Sequence, residues 1–196
     1  MNFLAHVYLS GENEETIIGN FIADHVKGNR INRYSPGIIA GIQLHREIDT
    51  FTDSHPIFLA SKARLQKKYK KYSGVIVDMF YDHFLSANWP DYSEEDITSF
   101  TNRIYRIAIK RYFILPPKTK RLLPFMARSN WLAGYGTLEG IDRALTGMSG
   151  RTPFKSGMEN AAGDLKRDYS LYKTEFQQFF PEVIRFSDER RRDTGI

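Results

Sequence analysis

Polar and metal-ligating side chains occur in this chain as pairs spaced four residues apart. The pairs are Asn20 and Asp24, His45 and Asp49, and Asp78 and Asp82. Because side chains at positions i and i+4 share one face of a helix, the members of each pair can reach a common ion. The pairs lie beside apolar residues, and taking an unpaired carboxylate out of water costs several kcal/mol. A divalent cation would let these acids stay ionised, so the spacing predicts a metal centre built from three helices.

The available donors limit which cation fits. The chain has no cysteine, which excludes thiolate metal sites and disulfides. All five histidines lie within the first 83 residues, close to the acidic pairs. Oxygen ligands with one or two imidazoles are typical of Mn²⁺, Mg²⁺ or Fe. A single pair of this kind is also typical of a hydrogen-bonded helix face, so the prediction depends on the coincidence of three pairs.

Three of the histidines have simpler interpretations. His6, within the apolar stretch NFLAHVYL, is as typical of a core histidine as of a ligand. His25 lies away from the Asn20 and Asp24 side of its helix, and His55 precedes a proline in a turn. We therefore leave His25 and His55 outside the predicted site.

Helical periodicity runs along almost the whole chain, and two-residue alternation between turn signals is nearly absent. The helices that carry the three pairs are predicted over residues 16–27, 36–53 and 74–89. Downstream, Ser93 is predicted as the N-cap of a capping box that opens a further helix, and shorter helices follow. These elements predict an all-α fold.

The length of 196 residues predicts one domain with a sizeable core. We expect a single-domain helical bundle over residues 1–186 and a charged, frayed tail over residues 187–196. The amino terminus lacks the features of a signal peptide, and no segment approaches the roughly 20 apolar residues of a membrane span. The sequence therefore predicts a cytoplasmic protein with no membrane span, and it predicts no particular oligomeric state.

The formal net charge of +5 favours an anionic partner. Between positions 62 and 71 the chain carries basic residues and no acid. The basic face that we expect to bind the partner consists of Lys62, Arg64, Lys67, Lys68 and Lys71. A run of charges is also typical of a solvated helix face, so this face is a hypothesis about binding.

Four blocks of the sequence resemble one family. They are MNFLAH, GNFIADHVKG, GIQLHREIDTFTDSHP and VDMFYDHFLSANW, and the later block NWLAGYGTLEGIDRALTGMSGR is similar to the second half of the same family. The family is that of the acyl carrier protein phosphodiesterases, or holo-ACP hydrolases. The resemblance implies an all-helical fold distantly related to the HD-type metal phosphohydrolases. It also implies a manganese-dependent removal of the 4′-phosphopantetheine arm from holo acyl carrier protein.

The resemblance implies that nine residues within these blocks lie at or near the centre of the site. Among them we expect the inner metal ligands to be Asp24, His45, Asp49 and Asp82. We expect Asp78 to be a ligand or the base that orients the water. His6 and His83 are candidates for supporting a ligand or assisting the leaving group, and Asn20 and Asp53 for orienting the water or a ligand. The usual HD signature is an adjacent His-Asp pair, whereas this chain separates His45 from Asp49 and has the reversed order Asp82-His83.

The same resemblance gives the basic face a partner, because acyl carrier proteins are strongly acidic and a basic face would steer them. Two alternatives stay open. One is a related phosphohydrolase that acts on a nucleotide or another small phosphoester. The other is a non-enzymatic basic helical module. Nucleic acid is a disfavoured partner, because the basic residues are not interleaved with an aromatic stacking platform.

Overall fold

Eleven α-helices make up nearly all of the regular structure, and no strand is present. The computed structural model describes all 196 residues, and it confirms the predicted all-α domain. In chain order the helices are α1 (Phe3–Tyr8), α2 (Glu14–Ile22), α3 (Pro36–Ser54), α4 (Pro56–Tyr69), α5 (Ser73–Ala87), α6 (Ile97–Lys110), α7 (Pro117–Arg128), α8 (Trp131–Gly134), α9 (Leu138–Ser149), α10 (Ala161–Arg167) and α11 (Tyr169–Thr194). None of them combines the length and the apolarity needed to cross a membrane.

Helix α5 lies in the middle of the bundle. It is apolar on nearly every side, as its sequence indicates, and it packs against α1, α4, α9 and α11. Phe176 of α11 contacts Tyr81 and Phe84 of α5, with ring centroids 5.7 and 5.9 Å apart. The acids Asp78 and Asp82 on α5 therefore face neighbouring helices rather than bulk solvent.

Helices α2 and α3 cross in close contact at two glycines. A methyl group at Gly19 would lie 2.1 Å from the carbonyl oxygen of Ile38, and one at Gly41 would lie 2.3 Å from that of Thr16. Only a residue without a side chain fits such an approach of two backbones. The crossing brings the carboxyl end of α2, with Asn20, against the middle of α3.

We expect Gly41→Ala to lower the free energy of unfolding by roughly 1–3 kcal/mol or more, because the added methyl group must displace a backbone carbonyl. Urea unfolding followed by circular dichroism measures this change. The matched control is Gly163→Ala in α10, where an added methyl group meets no atom within 4 Å. Equal stability of the two variants would contradict the proposed role of the crossing.

One helix start differs from the sequence prediction. Helix α6 begins at Ile97, and the carboxylate of Asp96 accepts a hydrogen bond from the Ser99 amide at 2.9 Å. The hydroxyl of Ser93 accepts instead from the Glu95 amide in the preceding turn. The predicted N-cap at Ser93 is wrong, because this local turn uses the side chain that the capping box requires.

The carboxyl terminus also differs from the prediction. Residues 187–194, expected to be frayed, continue α11 as regular helix. Ser187 is buried, and the guanidinium of Arg191 donates to the Leu9 carbonyl and pairs with Asp188 at 2.6 Å. The sequence predicted a frayed tail because a run of charged residues is usually solvated. It does not show that Arg191 contacts the distant Leu9 carbonyl.

Candidate functional site

Two stacked imidazoles and two carboxylates meet where α1, α2 and α3 come together. The rings of His6 and His45 lie 3.8 Å apart between centroids and are tilted by only 17°. Asp49 contacts both rings, with Oδ1 3.1 Å from His6 Nε2 and Oδ2 3.2 Å from His45 Nε2. Asp24 approaches the same His45 atom at 3.4 Å. This His/Asp cluster unites three of the four predicted metal ligands with His6.

The predicted helix over residues 16–27 is shorter in the structure, and this difference positions Asp24. Helix α2 ends at Ile22, and Ala23–His25 form a tighter 3₁₀ turn. The side chain of Asp24 is 67% exposed and that of Asp49 is 39% exposed, whereas His6 and His45 are buried. The carboxylates therefore form the solvent-facing side of the cluster and the imidazoles form its floor.

Asn20 orients the imidazole of His45 and binds the backbone of His6. Its backbone and side-chain oxygens both lie 3.0 Å from Nδ1 of His45 and can accept its proton, while its amide group donates to the His6 carbonyl at 2.9 Å. Because Asn20 binds Nδ1 of His45, the ring is oriented with Nε2 toward Asp24 and Asp49. This buried Nε2 makes no hydrogen bond of ordinary geometry.

The two imidazoles of the cluster differ in pKa. Burial, the largest influence, lowers the pKa of His45, but the carboxylates of Asp24 and Asp49 outweigh it and raise this pKa to about 9. Burial and the neighbouring His45 together lower the pKa of His6 to about 4. Burial raises the pKa of Asp49, but the bonds to both rings bring it well below its usual range. The cluster thus holds ionised carboxylates against one charged and one neutral ring.

The donor set of the cluster is chemically suited to a divalent cation. Ligand atoms of His6, His45 and Asp49 all lie within 4.8 Å of one another. They combine imidazole nitrogen with carboxylate oxygen, the donors that Mn²⁺ and Fe²⁺ accept. The unpartnered Nε2 of His45 and the exposed Asp24 carboxylate face the same place. These four residues could hold a metal ion.

Asp82, the fourth predicted ligand, lies outside the His/Asp cluster. Its carboxylate is fully buried and accepts hydrogen bonds from the Leu4 amide at 2.9 Å and the Ala5 amide at 3.2 Å. Burial raises the pKa of Asp82 to about 7, although these two amides favour the ionised form. In this position Asp82 closes the amino end of α1 and so fixes the helix that carries His6.

We expect Asp82→Ala to lower the free energy of unfolding of the metal-free protein by about 2–5 kcal/mol, because two buried amides lose their acceptor. Thermal or urea unfolding in the presence of a chelator measures the change. Asp53→Ala is the matched control, since Asp53 is exposed and makes no hydrogen bond. Unchanged stability of the metal-free Asp82→Ala protein would contradict this structural role.

Asp78 and Asp53 flank the cluster. The carboxylate of Asp78 lies 2.9 Å from the amino group of Met1, which in turn lies 3.4 Å from Asp49. Burial raises the pKa of Asp78, and this amino group opposes the change. Asp53 is exposed, one helical turn beyond Asp49 on α3.

His83 is directed away from the cluster. Its Nδ1 donates to the Tyr135 carbonyl at 2.8 Å, and its Nε2 lies 3.0 Å from the Tyr169 hydroxyl. Of the two imidazoles predicted to assist a leaving group, His6 lies in the cluster and His83 does not. The two histidines excluded from the predicted site, His25 and His55, also bond elsewhere, to Thr119 and Glu182.

The predicted basic face lies on α4 and the turn after it. Arg64 is already paired with Glu175, and Lys68 with Asp164 at 2.7 Å. The other three members, Lys62, Lys67 and Lys71, pair with no carboxylate. Lys62 crosses over α5 at Gly74, where an added methyl group would lie 3.7 Å from its Cε. Since Gly74 lies one turn before Asp78, Lys62 packs on the same face of α5 as that acid.

Sequence reasoning about metal ligands assigned no role to the segment 130–151. The structure places Trp131, Tyr135, Arg143 and Arg151 of this segment around a pocket of about 360 Å³. The signal that could have drawn attention to it is the family resemblance of NWLAGYGTLEGIDRALTGMSGR, which contains all four residues.

Comparison with known proteins identifies the family. Residues 1–183 match the family described as acyl carrier protein phosphodiesterase. The chain belongs to this family. A relative of that name from Serratia proteamaculans is 29% identical over 192 residues, covering 97% of this chain and 100% of the relative. Another from Photorhabdus laumondii is 32% identical over 194 residues, covering 97% of this chain and 96% of the relative.

These matches confirm the resemblance found in the sequence blocks. The family name describes hydrolases that act on a phosphodiester, and the alignments extend well beyond the first 89 residues, where the block resemblance is densest. No solved structure matches the chain. The distant relation to HD-type phosphohydrolases stays a prediction.

Proposed function

We propose that this protein hydrolyses the phosphodiester bond that joins 4′-phosphopantetheine to a serine of holo acyl carrier protein. The products are apo acyl carrier protein and 4′-phosphopantetheine. The observation that carries the proposal is the His/Asp cluster, whose donors suit a divalent cation, in a chain whose relatives are named for this activity. Mn²⁺ is the cation that we expect, with Mg²⁺ or Fe²⁺ as alternatives.

A phosphodiester resists attack because its phosphorus is shielded by negative charge. Asp24, His45, Asp49 and His6 would hold a divalent cation, which would lower the pKa of the attacking water and neutralise charge on the phosphate oxygens. Asn20 keeps Nε2 of His45 directed into the cluster. Asp49 contacts both imidazole rings and so fixes the distance between them. The residues that would surround the phosphate are therefore ordered before substrate binds.

Asp78 is our candidate for the proton acceptor. Burial raises the pKa of its carboxyl group, which suits it to accept a proton from water and to release that proton later. The water oxygen forms a bond to phosphorus as the bond from phosphorus to the serine oxygen breaks. The serine oxygen then takes up a proton, which restores the hydroxyl group of apo acyl carrier protein.

The direct test is incubation of the purified protein with holo acyl carrier protein and Mn²⁺, followed by mass spectrometry of the carrier. We expect the carrier to lose the mass of 4′-phosphopantetheine. A panel of nucleotides and small phosphoesters distinguishes the related phosphohydrolase. Turnover of a panel member with no change in the carrier would contradict the proposed substrate.

The unpaired part of the basic face on α4 is the surface that we expect to dock the acidic carrier. Reversing Lys62, Lys67 and Lys71 to glutamate should lower kcat/KM for holo acyl carrier protein several-fold or more and should flatten its dependence on salt. The reason is that surface charges act mainly on the rate of encounter. Steady-state kinetics at low and moderate ionic strength measure both effects.

A triple variant with the same charge change serves as the control for docking. Its positions, Arg106, Arg128 and Arg185, are exposed residues of α6, α7 and α11 that form no ion pair. We expect a smaller decrease in this control. An equal decrease in both variants would show that net charge, rather than this face, steers the carrier.

A further inference from the structure

The proposed chemistry gives no role to the pocket beside α9. It has a volume of about 360 Å³ and lies between the start of α1, the end of α7, α8 and α9. Its apolar walls come from Phe3, Leu122, Trp131 and Met148. Cavities of this size with apolar walls and a few polar groups are typical of sites for small organic ligands.

Two guanidinium groups at this pocket have no partner in the protein. Arg143 and Arg151 both line it and are both exposed, and neither side chain forms an ion pair or a hydrogen bond. In contrast, Arg64, Arg103 and Arg167 elsewhere on the surface are each paired with carboxylates. Unpaired arginines beside apolar walls offer hydrogen-bond donors to the carbonyl, hydroxyl or phosphate oxygens of a ligand.

Two short stretches of chain link the lining of the pocket to the cluster. Asn2 lines the pocket and directly follows Met1, whose amino group contacts Asp49 and Asp78. In the other stretch, Leu122 lines the pocket one turn beyond Thr119, whose hydroxyl bonds to His25, the neighbour of Asp24. These two links place the start of α1 and the turn around His25 between the pocket and the cluster.

The pocket and the basic face also lie toward opposite ends of α5. Lys62 crosses the helix at Gly74, and the α8–α9 connection meets it at Ser86, where Gly136 packs against the Ser86 hydroxyl. Twelve residues of helix separate these two points by about 18 Å. Asp78 and Asp82 lie between them on the same face. This order leaves one end of the site for a docked protein and the other for a chain that extends from the phosphate.

We infer that this pocket binds the 4′-phosphopantetheine arm of the carrier, an inference that rests on the proposed function and names the substrate subsite. The arm has a geminal dimethyl group and methylene groups that suit the apolar walls. It also has a hydroxyl and two amide carbonyls that accept hydrogen bonds from Arg143 and Arg151. A phosphate ion alone would make no favourable contact with the apolar walls.

Binding of free 4′-phosphopantetheine to the full-length protein, measured by isothermal titration calorimetry with Mn²⁺ present, tests this inference. One variant is Gly147→Leu, which fills the pocket from α9, and an added Cβ there comes no closer than 3.4 Å to Arg151. The second is the double variant Arg143→Ala with Arg151→Ala, which changes only exposed side chains. The control is Gly163→Leu on exposed α10, with no atom within 4 Å of an added Cβ.

We expect both pocket variants to weaken binding by at least about tenfold, the factor that one lost charge-assisted hydrogen bond accounts for. The control should bind as the unmodified protein does. Such a loss supports the subsite whether or not the carrier is hydrolysed, so failure of the proposed function is recognised separately. Unchanged binding in the double variant overturns the subsite even if holo carrier is a substrate. Tighter binding of AMP than of 4′-phosphopantetheine, lost in the same variants, also overturns it.

Discussion

Replacing Asp49 with alanine is expected to lower kcat/KM for holo acyl carrier protein by at least about 100-fold. Asp49 is the one carboxylate that contacts both stacked imidazoles, at 3.1 Å from His6 and 3.2 Å from His45. Loss of residues that only orient a metal ligand already costs about 10–100-fold in metal affinity or activity. Loss of a group that we propose both to bind the cation and to fix two other ligands should cost at least the upper end of that range. Hydrolysis of holo carrier by the purified variant, with Mn²⁺ in excess, measures the loss.

Glu47→Ala is the matched control for this prediction. Glu47 lies on the same helix two residues before Asp49, but its side chain is exposed and has only a loose contact with Arg190 at 3.6 Å. Its removal should leave kcat/KM nearly unchanged. Substantial activity in Asp49→Ala would contradict the assignment of the reaction to this cluster.

Mn²⁺ is expected to stabilise the protein against unfolding, because the folded state assembles the His/Asp cluster and the unfolded chain does not. At a free concentration of 100 times Kd, a ligand specific for the folded state adds about 2.7 kcal/mol. For a chain of this length that corresponds to a rise in Tm of roughly 5–10 °C. Differential scanning fluorimetry or calorimetry with and without Mn²⁺ measures the shift.

The stabilisation should disappear in His45→Ala, because Nε2 of His45 is buried, has no hydrogen-bond partner and lies against Asp24 and Asp49. It should persist in Asp82→Ala, whose lost carboxylate bonds to the amides of α1 and not to the cluster. The opposite pattern would restore Asp82 to the ligand set and would remove His45 from it. A Tm that does not respond to Mn²⁺ in the unmodified protein would contradict a metal site in this cluster.

Local helix geometry explains how much of the fold and the site could be predicted. The spacing of four residues on α3 places His45 beside Asp49. Asp24 joins them from the 3₁₀ turn that follows α2. The apolar pattern of α5 predicts its burial, and the near absence of alternation predicts an all-α chain. These features depend on neighbours within one or two turns, which the sequence contains directly.

The remaining features depend on contacts between distant segments. Asp82 and His83 are adjacent in sequence, yet one closes the amino end of α1 and the other bonds to Tyr135 and Tyr169. A helix turns by about 100° per residue, so neighbouring side chains serve different partners, and the sequence does not identify those partners.

The glycine crossing and the pocket could not be predicted for the same reason, because both depend on contacts between distant segments. Gly19 and Gly41 reveal their role only when the backbones of α2 and α3 are seen in contact. The pocket beside α9 is lined by residues from four segments between Asn2 and Arg151, none of which forms a local motif for a ligand. The order of helices in the chain does not predict which of them enclose a cavity.

The account depends most directly on the location of one cation. Anomalous scattering at the manganese edge, from crystals of the protein grown with Mn²⁺, locates that cation without assumptions about the reaction. We expect a single strong peak at about 2.0–2.3 Å from Nε2 of His45 and from a carboxylate oxygen of Asp49, with Asp24 and His6 adjoining it. A crystal of catalytically active protein with no manganese at these residues, or with manganese bound elsewhere, would contradict the central claim.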